Sequence, residues 1–175
     1  AAGTGNLVAD AVSLSNGDVP DDSLKAFWKF NEGASTLAGD SAPEGAVDLG
    51  TLVGDATWIN SEIDGQAVDL DGIGDYVEIG NSVDINSATL DQFTASLWFK
   101  ADDVSLATRK QVLFDQGAGY RGLSMYLFDG RVYLGAWDLG NSWSGTFFDR
   151  DQVQDGQWNH AAIVLNADGT TVKGN

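Results

Sequence analysis

The fold is decided by the stretch Val68-Asp69-Leu70-Asp71-Gly72-Ile73-Gly74-Asp75-Tyr76-Val77-Glu78-Ile79. Two short runs of alternating apolar residues flank a turn rich in Asp and Gly, and this pattern predicts a tight β-hairpin in an all-β domain. Glycine adopts the positive φ angles of such a turn without a Cβ penalty, and short Asp side chains bond neighbouring amides. A second interpretation stays open, because Asp71 and Asp75 place two hard oxygen donors in a glycine-rich loop that suits Ca²⁺.

Short strands separated by Gly and Asp recur along the rest of the chain. The clearest is 92–100, where Phe93, Ala95, Leu97 and Phe99 alternate with polar residues and Trp98. Other predicted strands are 24–30, 49–53, 56–59, 111–115, 123–128, 131–137 and 158–165, with Asp129-Gly130 as a two-residue hairpin turn. No stretch keeps a helical period over three turns. The sequence therefore predicts an antiparallel β-sandwich or jelly roll.

Length and composition predict one domain with a short leading segment. Residues 1–22 are small, polar and weakly periodic, which favours a linker or an edge strand, and residues 23–175 form the predicted sandwich. The 175 residues are enough to bury a core, and 43% of them are hydrophobic. The chain has no cysteine, so disulfides do not contribute to its stability.

The net charge of the chain limits which classes of partner it can bind. A formal net charge of −17 repels nucleic acid and anionic membrane surfaces, so neither is predicted to bind. No apolar run approaches the roughly 20 residues that span a bilayer, and no membrane insertion is expected. The excess of carboxylates favours cations, above all calcium. The alternative is a solvated acidic surface that keeps the protein soluble.

A set of motifs follows in a recognisable order from about residue 24 to residue 173. They are Ala26-Phe27-Trp28-Lys29-Phe30-Asn31-Glu32-Gly33, Gly39-Asp40-Ser41, Asp48-Leu49-Gly50-Thr51-Leu52, Gly65-Gln66-Ala67-Val68-Asp69-Leu70-Asp71-Gly72, Asp75-Tyr76-Val77-Glu78-Ile79, Phe93-Thr94-Ala95-Ser96-Leu97-Trp98-Phe99-Lys100 and Asp155-Gly156-Gln157-Trp158-Asn159-His160-Ala161-Ala162. This order resembles the laminin-G-like jelly-roll family of the concanavalin A-like superfamily.

The resemblance implies more strands than the sequence contains. Such domains usually continue after the strand ending near Leu165 with a hairpin and several closing strands, whereas this sequence stops at Asn175. We therefore expect an N-terminal portion of the domain or a split form, completed by a C-terminal segment or a neighbouring module of the same protein. A sandwich without its closing strands exposes edge amides and carbonyls.

The resemblance also implies calcium. In the family, a structural calcium ion often ties the loop after the first strand to the sandwich, and Asp40 and Asp48 match the acidic positions of that loop. Asp71 and Asp75 join them as metal candidates on their spacing alone. Calcium is accordingly the predicted cofactor.

Catalysis has no good candidate in this sequence. Glucanases of the same superfamily use a Glu-x-Asp-x-Glu strand, but after Glu62-Ile63-Asp64 the third position here is Gln66, and Gly65 interrupts the strand. We expect this stretch to form a turn. The single histidine, His160, is predicted to be a hydrogen-bonded core residue rather than a catalytic base. The domain is therefore predicted not to be an enzyme.

Tryptophans supply the candidate ligand site. Trp137 and Trp143 flank a predicted loop, Asp138-Leu139-Gly140-Asn141-Ser142, and indoles beside Asp and Asn are typical of sugar recognition. Trp137, Asp138, Asn141 and Trp143 are therefore the predicted ligand-binding residues. The alternative is that both indoles pack under their own loop. The remaining tryptophans are predicted to be core residues: Trp28, Trp58, Trp98 and Trp158.

These features predict a noncatalytic extracellular module of a bacterial surface or secreted protein, an adhesin that binds glycan or extracellular matrix with calcium as stabiliser. Two alternatives remain open. One is a structural scaffold or spacer that supports another module, and the other is a carbohydrate module of a glycoside hydrolase.

Overall fold

The computed structural model describes residues 7–15, 24–43, 47–87, 92–118, 121–138 and 141–166. These residues form strands, turns and loops and contain no helix. The strands are β1 (Leu7–Ser15), β2 (Leu24–Trp28), β3 (Leu37–Ala38), β4 (Gly50–Val53), β5 (Thr57–Ser61), β6 (Gly65–Leu70), β7 (Tyr76–Ile79), β8 (Gln92–Ala101), β9 (Gln111–Ala118), β10 (Arg121–Phe128), β11 (Arg131–Asp138), β12 (Asn141–Phe148) and β13 (Trp158–Asn166).

The strands form three antiparallel sheets. A six-stranded sheet has the order β13-β8-β1-β6-β5, with β2 also paired to β1. A four-stranded sheet has the order β12-β11-β10-β9, and a three-stranded sheet has the order β3-β4-β7. This architecture confirms the predicted all-β antiparallel sandwich.

One hydrophobic core lies between the sheets. Trp28, Leu97 and Phe99 enter it from the six-stranded sheet and Met125 and Leu134 from the four-stranded sheet, all of them fully buried. The indole Nε1 of Trp28 donates to the carbonyl oxygen of Asp48 at 2.5 Å, so this buried polar group is satisfied. Because side chains alternate along each strand, the residues between the core positions lie on the two outer faces of the sandwich.

The alternation predicted for 92–100 is confirmed by β8. Phe93, Ala95, Leu97 and Phe99 are buried, whereas Trp98 is 36% exposed. Trp98 therefore lies on the outer face of the six-stranded sheet, and its predicted place in the core is wrong. His160 of β13 pairs with it across the ladder and is also exposed, which corrects the core position predicted for that histidine. Their rings are tilted at 52° with centroids 5.1 Å apart.

The predicted hairpin 68–79 is also wrong. Gly72 and Gly74 have φ angles of 77° and 86°, as the turn chemistry requires, but β6 and β7 do not pair with each other. β6 pairs with β1 and β5, and β7 pairs with β4. The loop between them crosses from the six-stranded to the three-stranded sheet. Both strands carry an apolar face, and each turns that face toward the common core from a different sheet.

The segment 1–22 also differs from the prediction in its described part. β1 pairs with β8 along one side and with β6 and β2 along the other, so it is an interior strand and not a linker or an edge. The hairpin turn Asp129-Gly130 is confirmed, because Phe128 pairs with Arg131 and the two turn residues have φ angles of 51° and 79°.

Candidate functional site

An aromatic row crosses the outer face of the four-stranded sheet. The strand register places Tyr126 of β10 opposite Tyr133 of β11, and Tyr133 opposite Phe147 of β12. The two tyrosine rings are stacked, with centroids 5.0 Å apart and planes at 9°, and Tyr133 and Phe147 are 5.6 Å apart. Phe147 is 48% exposed. Three neighbouring strands therefore carry aromatic side chains in one line, in which Phe147 is exposed and Tyr126 and Tyr133 are half-buried.

Trp143 extends this row toward the end of the sheet. Its indole lies over Gly135 and Gly145, and a Cβ atom added to Gly135 would come within 2.5 Å of the ring. The centroids of Trp143 and Tyr133 are 6.4 Å apart, and Trp143 is 39% exposed. Glycines in the sheet thus allow the indole to lie flat against the backbone. We call Tyr126, Tyr133, Trp137, Trp143 and Phe147 the aromatic face.

Trp137 belongs to the same face. It is opposite Gly122 in the β10–β11 ladder, and its ring covers the position that a Cβ atom of Gly122 would occupy. Trp137 is half-buried, whereas Trp143 is more exposed. The structure therefore brings both predicted indoles to one surface. Trp137 lies in β11, within the predicted strand 131–137, whereas Trp143 lies in β12, which the sequence did not predict.

Cations lie at the margin of the aromatic face. The Lys110 ammonium is 4.2 Å from the centroid of the Tyr126 ring, and the Arg131 guanidinium is 5.1 Å from that of Phe147. These cation–π contacts restrain both side chains beside the rings. Rings of this kind stack on the apolar faces of sugars, and N–H donors at their margin hydrogen-bond hydroxyl groups.

Two of the predicted ligand-binding residues are described only by their backbone. Asp138 and Asn141 pair with each other at the end of the β11–β12 hairpin, and their side chains lie outside the described part of the chain. The sequence analysis missed Tyr126, Tyr133 and Phe147. A signal existed for the two tyrosines, because they are equidistant from the turn Asp129-Gly130 and a two-residue hairpin pairs such positions.

A second cluster consists of carboxylates. One ligand oxygen from each of Asp55, Asp71 and Asp75 lies within 4.8 Å of the others, and among the described residues this is the one such group of three acidic side chains. Asp75 accepts the amides of Asp55 and Asp71 at 2.9 and 3.0 Å, so it joins the β4–β5 turn to the loop after β6. The sequence analysis missed Asp55, which reaches the site because β4 pairs with β7.

The pKa values in this cluster diverge. A side-chain hydrogen bond with Asp75 and the charge of that carboxylate raise the pKa of Asp55. The backbone amide of Asp71 lowers the pKa of Asp75, because it stabilises the charged form. A divalent cation bound by these hard oxygen donors would reduce the repulsion between the closely spaced carboxylates.

Asp40 and Asp48 lie elsewhere, at the other end of the β4–β7 pair. Asp40 accepts backbone amides through both oxygens, from Phe27 at 2.9 Å and from Asp48 at 3.2 Å. Asp48 is buried and accepts the Ser82 hydroxyl at 2.9 Å, and desolvation raises its pKa. The four predicted metal residues therefore divide into two pairs, separated by the four residues of β4, or roughly 13 Å of strand.

The acidic stretch 62–64 forms the turn between β5 and β6, as expected. Glu62 is exposed, and Asp64 accepts a hydrogen bond from the Asn31 amide at 2.9 Å. The two side chains are therefore placed on a turn and not along a strand face.

An all-β sandwich with an exposed aromatic face defines a class of ligand-binding module. Residues 71–173 match the Laminin_G_3 family, described as the concanavalin A-like lectin/glucanases superfamily. The match covers more than half of the chain, so the chain belongs to this family, which assigns it a carbohydrate- or ligand-binding role. Neither a curated protein nor a solved structure matches the chain. The described residues also contain no helix long and apolar enough to cross a membrane.

Proposed function

We propose that this domain is a noncatalytic, calcium-stabilised carbohydrate-binding module of an extracellular or cell-surface protein, an adhesin that attaches to glycan or to glycan-bearing extracellular matrix. The observation that carries the proposal is the aromatic face. Aromatic side chains from three neighbouring strands are held by cross-strand stacking and by glycine contacts, and Trp143 and Phe147 of β12 are the exposed ones. Such a rigid surface loses little conformational entropy when a ligand binds.

The chemistry of the face favours a neutral saccharide. The exposed rings of Trp143 and Phe147 offer an apolar surface for the C–H side of pyranose rings, and Lys110 and Arg131 offer donors for hydroxyl groups. The net charge of −17 works against strongly anionic chains at long range. A neutral oligosaccharide can follow β12 from Phe147 to Trp143, the two exposed aromatic side chains of the face.

Calcium is proposed at Asp55, Asp71 and Asp75. The donor set fits this ion, because all three side chains offer hard oxygens within 4.8 Å of one another. When bound, the ion would offset the repulsion that raises the pKa of Asp55 and would hold the β4–β5 turn against the loop after β6.

The test is binding of a panel of neutral hexasaccharides, built from glucose, mannose or galactose, measured by calorimetry with calcium present. We expect at least one member to bind, and we expect Trp143→Ala to weaken it. Release of reducing sugar is measured on the same samples. Release that disappears in Glu62→Gln would favour the alternative of a glycoside hydrolase module and contradict the noncatalytic proposal.

The second candidate function is a scaffold that supports another module. It is favoured by the edges of β7 and β9, each of which has one partner among the described strands and which a completing segment of the same protein could cover. Absence of binding to every glycan, together with tight association of a neighbouring module, would favour this function.

A further inference from the structure

One carboxylate lies on the outer surface of the four-stranded sheet among the side chains that the structure describes there. Asp115 of β9 pairs with Ser124 of β10. Leu123 and Met125, on either side of Ser124, are buried in the core, so the alternation of the strand places Ser124 and its partner Asp115 on the outer surface. Asp115 therefore shares a surface with Trp143 and the rest of the aromatic face.

A band of small residues connects Asp115 to the indole of Trp143. Across the sheet from Asp115, the next three strands carry Ser124, Gly135 and Gly145 in register. The Trp143 ring lies over Gly135, two strands from Asp115, which corresponds to roughly 10 Å. An oligosaccharide that stacks one ring on Trp143 can therefore place its next sugar unit beside Asp115.

The Asp115 carboxylate has both oxygens available to a ligand. The side chain is exposed and makes no hydrogen bond with another described residue. Partial burial raises the pKa of Asp115, and the positive charge of Lys110 opposes this effect. The Lys110 ammonium also lies over the Tyr126 ring, so it belongs to the same side of the sheet. An ionised carboxylate only accepts hydrogen bonds, and its two oxygens match the two donors of a pair of adjacent hydroxyl groups.

The position of Asp115 does not depend on what lies beside β9. Hydrogen-bonded strands lie side by side in the plane of a sheet, whereas side chains stand roughly perpendicular to that plane. A further strand paired with β9 would therefore leave the outer surface at Asp115 open.

We propose that Asp115 determines the specificity of the aromatic face by accepting hydrogen bonds from two vicinal hydroxyl groups of the sugar unit next to the one stacked on Trp143. This role rests on the proposed carbohydrate binding and names the part of the ligand that the site recognises. The ligand is then an oligosaccharide with unsubstituted vicinal hydroxyl groups, because substitution removes the donors. A sugar unit that carries a carboxylate of its own at this position would be repelled by Asp115.

The first test is calorimetry with the member of the neutral hexasaccharide panel that the wild type binds. Asp115→Ala should weaken binding at least about tenfold, because the lost hydrogen bonds are made to a charged acceptor. Asp115→Asn should lose less, since the amide oxygen still accepts one hydroxyl group. The matched control is Asp102→Ala, which removes an exposed carboxylate outside this surface and should leave the affinity unchanged. Unchanged affinity in Asp115→Ala would overturn the proposal.

The second test changes the ligand. The same hexasaccharide, methylated at its vicinal secondary hydroxyl groups, should bind the wild type at least about tenfold more weakly than the unmodified form. In Asp115→Ala the same methylation should cost much less, because the acceptor is already absent. Methylation at the primary hydroxyl groups should not produce this difference. Equal fold-losses in the wild type and in Asp115→Ala would show that Asp115 does not accept these hydroxyl groups, a result that a merely structural role would give.

The outcomes separate the role of Asp115 from carbohydrate binding itself. A wild type that binds the hexasaccharide, and that is weakened by Trp143→Ala but not by Asp115→Ala, would keep the proposed function and overturn the role of Asp115. A wild type that binds no member of the panel would overturn both.

Discussion

Removal of the Trp143 indole should separate ligand binding from folding. Trp143 is 39% exposed, so about 150 Å² of its surface is covered by Gly135, Gly145 and the neighbouring tyrosines. At about 25 cal/mol per Å², and after correction for a compact unfolded chain, Trp143→Ala should lower the free energy of unfolding by about 2–3 kcal/mol. A domain with a stability of about 5–15 kcal/mol still folds after that loss.

The loss of affinity should be specific to this indole. Stacking on an aromatic platform contributes about 1–3 kcal/mol, which corresponds to a roughly 5- to 150-fold weaker dissociation constant for the hexasaccharide that the wild type binds. The matched control is Trp98→Ala, because Trp98 is 36% exposed on the outer face of the other large sheet. It should show a similar decrease in stability by chemical denaturation and unchanged affinity by calorimetry. Equal affinity losses in both variants, or none in Trp143→Ala, would refute the reasoning.

Three further predictions concern the glycine contact, calcium and pH. Gly135→Ala should weaken the same hexasaccharide although every indole is retained, because its Cβ would meet the Trp143 ring at 2.5 Å and the Ser144 carbonyl oxygen at 2.7 Å. Gly80→Ala, whose Cβ meets nothing within 4 Å, should not weaken it, and equal affinities of the two variants in calorimetry would contradict this contact. Calcium should raise the melting temperature of the wild type relative to chelator, and Asp55→Asn should lose this rise. In chelator, Asp55→Asn should melt no lower than the wild type, because the substitution removes a repulsive charge. A rise retained in Asp55→Asn, as in the control Asp102→Asn, would exclude Asp55 as a ligand. Partial burial lowers the pKa of His160, so below about pH 6.5 the unfolded state binds a proton at this residue more readily than the folded state, and stability is lost as the pH falls. Between about pH 7.5 and 5.5 the melting temperature of His160→Gln should therefore fall less than that of the wild type. Parallel curves would show that His160 is not involved.

Local pattern predicted most of the strands and the fold class but not the strand partners. The alternation in β8 predicted which face of that strand is buried, and Asp129-Gly130 predicted the hairpin between β10 and β11, because both features depend on neighbouring residues. The turn after Leu70 has the same local chemistry as a hairpin turn, yet the strand that follows it pairs with β4. Partner choice depends on which sheet buries each apolar face, and a turn motif carries no such information.

The candidate site was only partly predictable for a related reason. Trp137 and Trp143 were found from their residue type, but β12 was not predicted, because Ser144, Gly145 and Thr146 interrupt any apolar alternation. Without that strand, the indoles appeared to flank a loop and the aromatic face was missed. Asp55 was missed in the same way, since a turn between β4 and β5 meets Asp75 only through the long-range β4–β7 ladder.

The most direct test of the account is a nuclear magnetic resonance titration that follows the indole N–H signals of the 6 tryptophans while the bound hexasaccharide is added. Stacking of a sugar shifts the N–H signal of the ring that it covers and leaves distant indoles unchanged. We predict shifts for Trp143 and Trp137, with Trp98 on the outer face of the six-stranded sheet and the buried Trp28 unchanged. Saturable binding that shifts Trp98 and leaves Trp143 and Trp137 unchanged would contradict the claim that the aromatic face is the carbohydrate site.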